Sequence, residues 1–353
     1  MASAISRRQF SQGLVTQLAM ASVAPAGWAA VPASSLTPQL VEAAKKEGKA
    51  VWYTAVDLPV AERIAKAFEA KYPGIAVRVE RSGGERIFQR IGQEYASNIH
   101  AVDVVNSSDA AHFIVWKREG ILAPYVPDEV ASHYPAEQVD PDGLFASWRV
   151  WLCVIGYNTK LVKPDEAPKS FADLLDPKWS GKIVKAHPGY SGTIMTATYQ
   201  ISRDIGWSYF EKLSRQKVMQ VQSSADPPKK LALGERAIMA DGNEYNLIQL
   251  KEKGEPVEIV YPSEGTPLII GPSGVMKDAP NPNAARLLQS FMFSVECQQL
   301  MVDWGGLRSF HAQVKDKAGR KPLKNIKLMK DDPAAVEKEA DRIKAKYTQY
   351  FKV

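Results

Sequence analysis

The chain has 353 residues, 45% of them hydrophobic and 24% charged, with a formal net charge of +6. That length allows two domains with cores of their own, and the composition is that of a globular protein rather than a disordered or collagen-like one. The charge is modest. Lys315, Lys317, Lys321, Lys324, Lys327 and Lys330 near the C-terminus stand without an aromatic and arginine binding module, which argues for a solvated face and against a nucleic-acid partner.

In chain order, Ser6-Arg7-Arg8-Gln9-Phe10 is similar to a twin-arginine export motif. The apolar run Gly13 to Ala24 behind it is too short, and too polar at Thr16 and Gln17, to span a membrane, and small residues from Ala26 to Ala30 suit signal-peptidase cleavage. Residues 1–30 are therefore expected to be a twin-arginine-type signal peptide, and the mature protein to be free in the periplasm. Cys153 and Cys297 lie far apart in apolar surroundings and read as buried free thiols, a disulfide being the alternative. Helical spacing predicts a helix from about Thr37 to Lys45. A strand at Ala50–Thr54, a helix at Val60–Lys71, a strand at Gly74–Val79 and a helix opening at Ser82-Gly83-Gly84 follow. This βαβα order predicts a parallel sheet, whose ligands sit beyond the carboxyl ends of its strands. Tyr53-Thr54, Ser82-Gly83-Gly84 and Asn106-Ser107-Ser108 occupy that edge.

The middle region opens with the apolar strand-like run Trp148 to Tyr157 and reaches a strand at Lys182–Ala186. The turn His187-Pro188-Gly189-Tyr190 then leads into Ser191-Gly192-Thr193 at a helix start. Such a start leaves amide groups unpaired and carries partial positive charge, so it can hold a phosphate, phosphonate, carboxylate or carbonate; the plainer reading is a serine that only caps its helix. Further on come a helix at Ile205–Arg215, a strand at Val218–Gln222, and a strand at Ala237–Ala240 that ends at Asp241-Gly242-Asn243-Glu244-Tyr245. Strand-like runs at Pro256–Tyr261 and Pro267–Met276 carry the chain back. Asn281-Pro282-Asn283 is expected to cap a long helix, with a charged helical tail after it.

Val51-Trp52-Tyr53-Thr54-Ala55, Ile155-Gly156-Tyr157-Asn158-Thr159, Ser191-Gly192-Thr193, Glu264-Gly265-Thr266-Pro267 and Ala279 through Ala285 occur in an informative order. In that order and spacing, over about residues 38–310, the chain resembles the periplasmic solute-binding proteins of ABC importers, specifically the ferric-iron-binding class and its phosphonate- and sugar-phosphate-binding relatives. The resemblance implies an α/β, type II periplasmic binding fold of two lobes, each a mostly parallel sheet flanked by helices, with ligand in the cleft between them. It places lobe 1 at residues 31–149 plus 273–325, lobe 2 at 150–272 and a helical tail at 326–353, with crossings near Trp148–Trp151 and Ile270–Met276. It further implies a monomer that closes by hinge motion and docks on a membrane permease, with no cofactor and no catalysis.

The family's iron site uses adjacent tyrosines, usually helped by a histidine and a glutamate, beside an anion on a Ser-Gly helix start. Here the tyrosine pair reads Glu244-Tyr245, the histidine position falls at Val56-Asp57, and the glutamate position reads Ser108. The anion half is intact and the metal half is not, so no metal site is expected. The solute is expected to be anionic, an organophosphate or phosphonate held by Tyr53, Thr54, Ser82, Gly83, Gly84, Ser108, Ser191, Gly192, Thr193 and Tyr245. Asp241 and Glu244 would address an amine or sugar hydroxyls, or lie on a solvated loop. Ferric iron on Asp57, Glu244 and Tyr245 is one alternative. A hydrolase built on Gly189-Tyr190-Ser191-Gly192 and His187 is another, although Thr193 stands where the nucleophile elbow needs glycine.

Overall fold

The computed structural model describes residues 32–353, so the expected signal peptide lies outside the described residues. Thr37 opens α1 (Pro38–Glu47) by accepting the Leu40 amide at 3.2 Å, and Gly48, at φ 71°, ends it in the left-handed conformation a glycine tolerates. Then come β1 (Lys49–Thr54), α2 (Leu58–Lys71), β2 (Ala76–Arg81), α3 (Gly84–Ala96) and β3 (Val104–Asn106). β1 lies between β2 and β3 and runs parallel to both, as connections through helices allow. Ile64, Ala65 and Phe68 of α2 turn inward at the expected helical spacing. The first lobe continues through α4 (Ala111–Arg118), β4 (Leu122–Ala123) and α5 (Asp128–His133).

β5 (Ala146–Asn158) is buried along its whole length. After it the second lobe is built from β6 (Ile183–Ala186), α6 (Gly192–Asp204), α7 (Trp207–Ser214), β7 (Met219–Val221), α8 (Asp226–Ala232), β8 (Ile238–Asn243), α9 (Glu244–Glu252) and β9 (Val257–Val260). β10 (Thr266–Met276) returns to α10 (Pro282–Phe293) and α11 (Val295–Asp303), and the chain ends with β11 (Leu328–Met329) and α12 (Pro333–Phe351). The strand order is β2-β1-β3-β10-β5-β8-β6-β7. β5 pairs antiparallel with β10 up to Leu152 and with β8 and β9 from Cys153 onward, so these two long strands cross from one lobe to the other. One core gathers Trp52, Phe68, Trp148, Trp151 and Phe291; a second gathers Ile155, Phe171, Phe210, Ile238 and Tyr347.

Three local expectations change. Asp241 to Tyr245 is not a solvated loop: Asp241 belongs to β8, Glu244 heads α9, and both are buried. Asn281 does not cap α10 with its side chain; its backbone and side-chain amides donate to Asp103 at 2.7 and 2.9 Å. The tail is charged, yet α12 buries Val336, Ile343 and Tyr347 and packs on α4 of one lobe and on α6 and α7 of the other. Both cysteines are free and buried.

Candidate functional site

A cleft of about 690 Å³ lies between the lobes. Its walls include Asp57, Arg81 and Trp304 from the first lobe and Ser223, Asn246 and Gln249 from the second. Asp57 precedes α2, Arg81 closes β2, Ser223 follows β7 and Asn246 stands in the first turn of α9. All are at or beyond strand carboxyl ends, where a parallel sheet leaves its loops free to meet a solute. The walls already touch. Asn246 donates its side-chain amide to Asp57, the Arg81 Nη2 lies 3.5 Å from the Ser223 hydroxyl, and Arg86 donates to Gln222.

Beneath this contact runs a buried polar chain. The Asn243 amide donates to Asn246 at 2.9 Å and to the Tyr245 hydroxyl at 3.2 Å, while its oxygen accepts the Trp151 indole N–H at 3.2 Å. The Arg149 guanidinium stands close enough to Tyr245 for each to act on the other's charge. Arg149 is 1% exposed, and its guanidinium lies 4.3 Å from the centre of the Trp151 ring. Burial pulls its pKa down to about 10, against the opposing influence of Tyr245 and Asp57. Burial, then the Asp57 charge, push the Tyr245 phenol well above its usual value, so it stays protonated.

Several residues singled out from sequence are committed elsewhere. Tyr53 points to the α3 side: it donates to Glu94 at 3.0 Å, stacks under Arg90, and is raised by burial to about 12. The Thr54 hydroxyl accepts the Val56 amide at 3.1 Å, and its carbonyl accepts the Ser82 amide. Asp241 meets Lys185 at 2.5 Å in a fully buried pair rather than facing an amine in the cleft. Glu244 is held by Arg308 at 2.9 Å, Arg320 at 2.6 Å and the Tyr261 hydroxyl at 2.6 Å. An iron set of Asp57, Tyr245 and Glu244 is therefore not assembled, because the Glu244 oxygens are taken. Ser191 caps α6, accepting the Ile194 amide at 3.4 Å, and Thr193 is buried behind it.

The glycines mark where the lobes approach. A Cβ at Gly83 would fall 2.6 Å from the Tyr190 carbonyl oxygen. One at Gly84 would fall 2.6 Å, and one at Gly192 2.9 Å, from the same Ser108 hydroxyl. The starts of α3 and α6 thus converge on Ser108. Close by, Glu85, Asp109 and His112 form the one group among the described residues with metal-ligand spacing. Its charges are already compensated: His112 bonds Ser107 at 2.6 Å and Glu85 at 2.9 Å, and Lys344 reaches Glu85 at 2.9 Å.

Sequence reasoning missed Arg81, Arg149, Asn243 and Asn246. The available signal for Arg149 was its place inside Trp148-Arg149-Val150-Trp151, a lone charge in an apolar strand that requires a partner.

Comparison with known proteins agrees with this architecture. Actinobacillus pleuropneumoniae AfuA, solved with fructose-6-phosphate bound, superposes with a TM-score of 0.78 at 24% identity, covering 87% of this chain and 99% of that one. Iron-bound HitA of Pseudomonas aeruginosa gives 0.73 at 23% identity, covering 86% and 99%. A Salmonella typhimurium protein named for periplasmic 2-aminoethylphosphonate binding is 29% identical over 67% of this chain and 70% of its own. Iron uptake protein A1 of Synechocystis is 23% identical over 65% and 66%. The model of the bacterial extracellular solute-binding proteins matches residues 101–328, a stretch that includes both crossing strands, and the chain belongs to that family.

Proposed function

We propose that the chain captures a small anionic solute, an organophosphate or phosphonate with an amine or sugar hydroxyls, in the periplasm and delivers it as a monomer to the permease of an ABC importer. The observation that carries this reading is the cleft: its walls come from both lobes and already exchange hydrogen bonds between Asn246 and Asp57. A space that two bodies close over suits capture and release better than turnover. The relatives named for a phosphonate and a sugar phosphate support the ligand class. Titration calorimetry with 2-aminoethylphosphonate, fructose 6-phosphate and inorganic phosphate tests it, beside native mass spectrometry of protein purified from its own periplasm. Stoichiometric binding of at least one phosphorus oxyanion without product formation is expected. A retained neutral solute, or hydrolysis of the ester, overturns the reading.

Ferric iron is the second reading, favoured by the iron-binding relatives. Tyr245 is the only phenol in the polar chain beneath the cleft, accepts from Asn243 and is held protonated. The expected outcome of adding Fe³⁺ with carbonate or phosphate is a colourless protein. A tyrosinate charge-transfer band in the visible spectrum would restore iron as the ligand.

A further inference from the structure

The deeply buried Lys185, Arg308 and Arg320 all have carboxylate partners, Lys185 in Asp241 and the two arginines in Glu244. Arg149 is different. Among the described residues no carboxylate lies within salt-bridge distance of it, and its Nε and Nη2 have no acceptor at all. Those two nitrogens form one side of the guanidinium, the edge that meets two oxygens of a carboxylate, phosphate or phosphonate at once. Removing a charge from water without a partner is unfavourable, and a fold that keeps one so held has reason to have it filled from outside.

Resting on the cleft reading above, we propose that the solute's oxyanion seats on the Nε–Nη2 edge of Arg149, so that Arg149 rather than the start of α6 supplies the principal counter-charge. The local construction suits the role. Gly271 lies opposite Arg149 on β10, and a Cβ there would come within 2.9 Å of Nε, so glycine leaves the edge clear. Trp151 supports one face of the guanidinium. Tyr245, whose phenol feels the Arg149 charge, is joined through Asn243 and Asn246 to Asp57 at the cleft wall. A further donor without an acceptor, the Asn106 Nδ2, ends β3 beside β10. Because Arg149 is 1% exposed, the solute enters when the lobes part, and closing buries the new ion pair.

The test compares wild type with Arg149→Met and Arg149→Lys. Each is titrated with inorganic phosphate, 2-aminoethylphosphonate and fructose 6-phosphate, with neutral fructose as control, beside a ligand-free melting curve. Wild type is expected to bind at least one oxyanion and to ignore fructose. Arg149→Met should weaken that oxyanion about a hundredfold or more, and Arg149→Lys, which keeps the charge but not the two-pronged edge, about tenfold. The ligand-free Arg149→Met protein should melt at or above the wild-type temperature, since an unneutralised buried charge has been removed. Wild-type affinity in Arg149→Met, or a ligand-free melting temperature well below wild type, overturns the proposal while leaving the anionic-solute reading intact. A wild type that binds none of the oxyanions takes both down. An Arg149→Met protein that does not fold counts with the lowered melting temperature, and unchanged affinity in Arg149→Lys overturns the proposal independently.

Discussion

Glu244 heads α9 and is fully buried. It accepts from Arg308, Arg320 and Tyr261, and those donors outweigh burial and lower its pKa, so it is a charged structural hub tying α9 to the segment after α11. Losing one member of such a buried pair leaves the other unneutralised, which costs about 3–5 kcal/mol. Glu244→Gln and Lys185→Met should each lower the unfolding free energy by about that much in urea titrations. The double change Lys185→Met with Asp241→Leu should recover much of the loss, since both charges leave together. A Glu244→Gln protein of unchanged stability but weakened solute affinity would return Glu244 to the site. The sequence shows that Asp241 and Glu244 stand at the end of a strand, and there a carboxylate for a ligand and a carboxylate for a distant arginine look alike. What decides between them is Arg308 and Arg320, more than sixty residues later, which no local pattern connects to α9.

At the scale of elements, α12 bridges the lobes. Val336 and Ile343 pack with Ala111 of α4 and Met195 of α6, while Tyr347 joins the second core and donates to Gln220 at 2.9 Å. Its sequence reads as a charged helical tail because only every third or fourth residue turns inward. β5 and β10, by contrast, were legible as strands from their long apolar runs, while their crossing between lobes followed only from the family resemblance. Lys344 of α12 also completes the cluster of Glu85, Asp109 and His112. Burial lifts the Asp109 carboxyl to about 6, with His112 opposing and Glu85 adding to the rise. In His112 burial, the largest influence, is outweighed by the bond and charge of Glu85 together with the Asp109 charge, and the imidazole is raised above its usual value. Asp331, before α12, is pushed to about 7 by burial and by Asp109. All three are raised, so the folded state binds more protons and its stability falls as pH rises. The Asp109 share is fully present below its unfolded value of 3.8 and is lost as pH climbs through about 6. Glu85, lowered to about 2 because His112 and Lys344 outweigh its burial, acts only below 4.5. Urea unfolding should therefore show stability declining from pH 5 to 7.5, and Asp109→Asn should flatten the part below 6. A wild-type curve that rises over this interval would contradict the arrangement.

For the whole molecule, the approach of the lobes rests on residues without side chains. The sequence marks Gly192 as a place where backbone must come close to something, but not whether that something is an anion or the other lobe. In the structure a Cβ at Gly192 would fall 2.8 Å from the Asp109 Cβ, so its neighbour is the first lobe. Gly192 has no positive φ, and a larger residue there adds bulk without backbone strain. Gly192→Val should then wedge the seam, holding the lobes apart while each keeps its own core. Small-angle scattering should give an enlarged radius of gyration with or without solute, affinity should drop at least tenfold, and circular dichroism should stay that of the wild type. A helix start that cradles the anion predicts otherwise: binding lost, but a ligand-free radius equal to wild type. Ser191→Ala separates the two again. As a cap for α6 it should cost about 1 kcal/mol of stability and leave affinity alone, whereas as an anion donor it should cost about 1–3 kcal/mol of binding. Unchanged compactness in Gly192→Val together with weakened binding in Ser191→Ala would move the anion back from Arg149 to the start of α6.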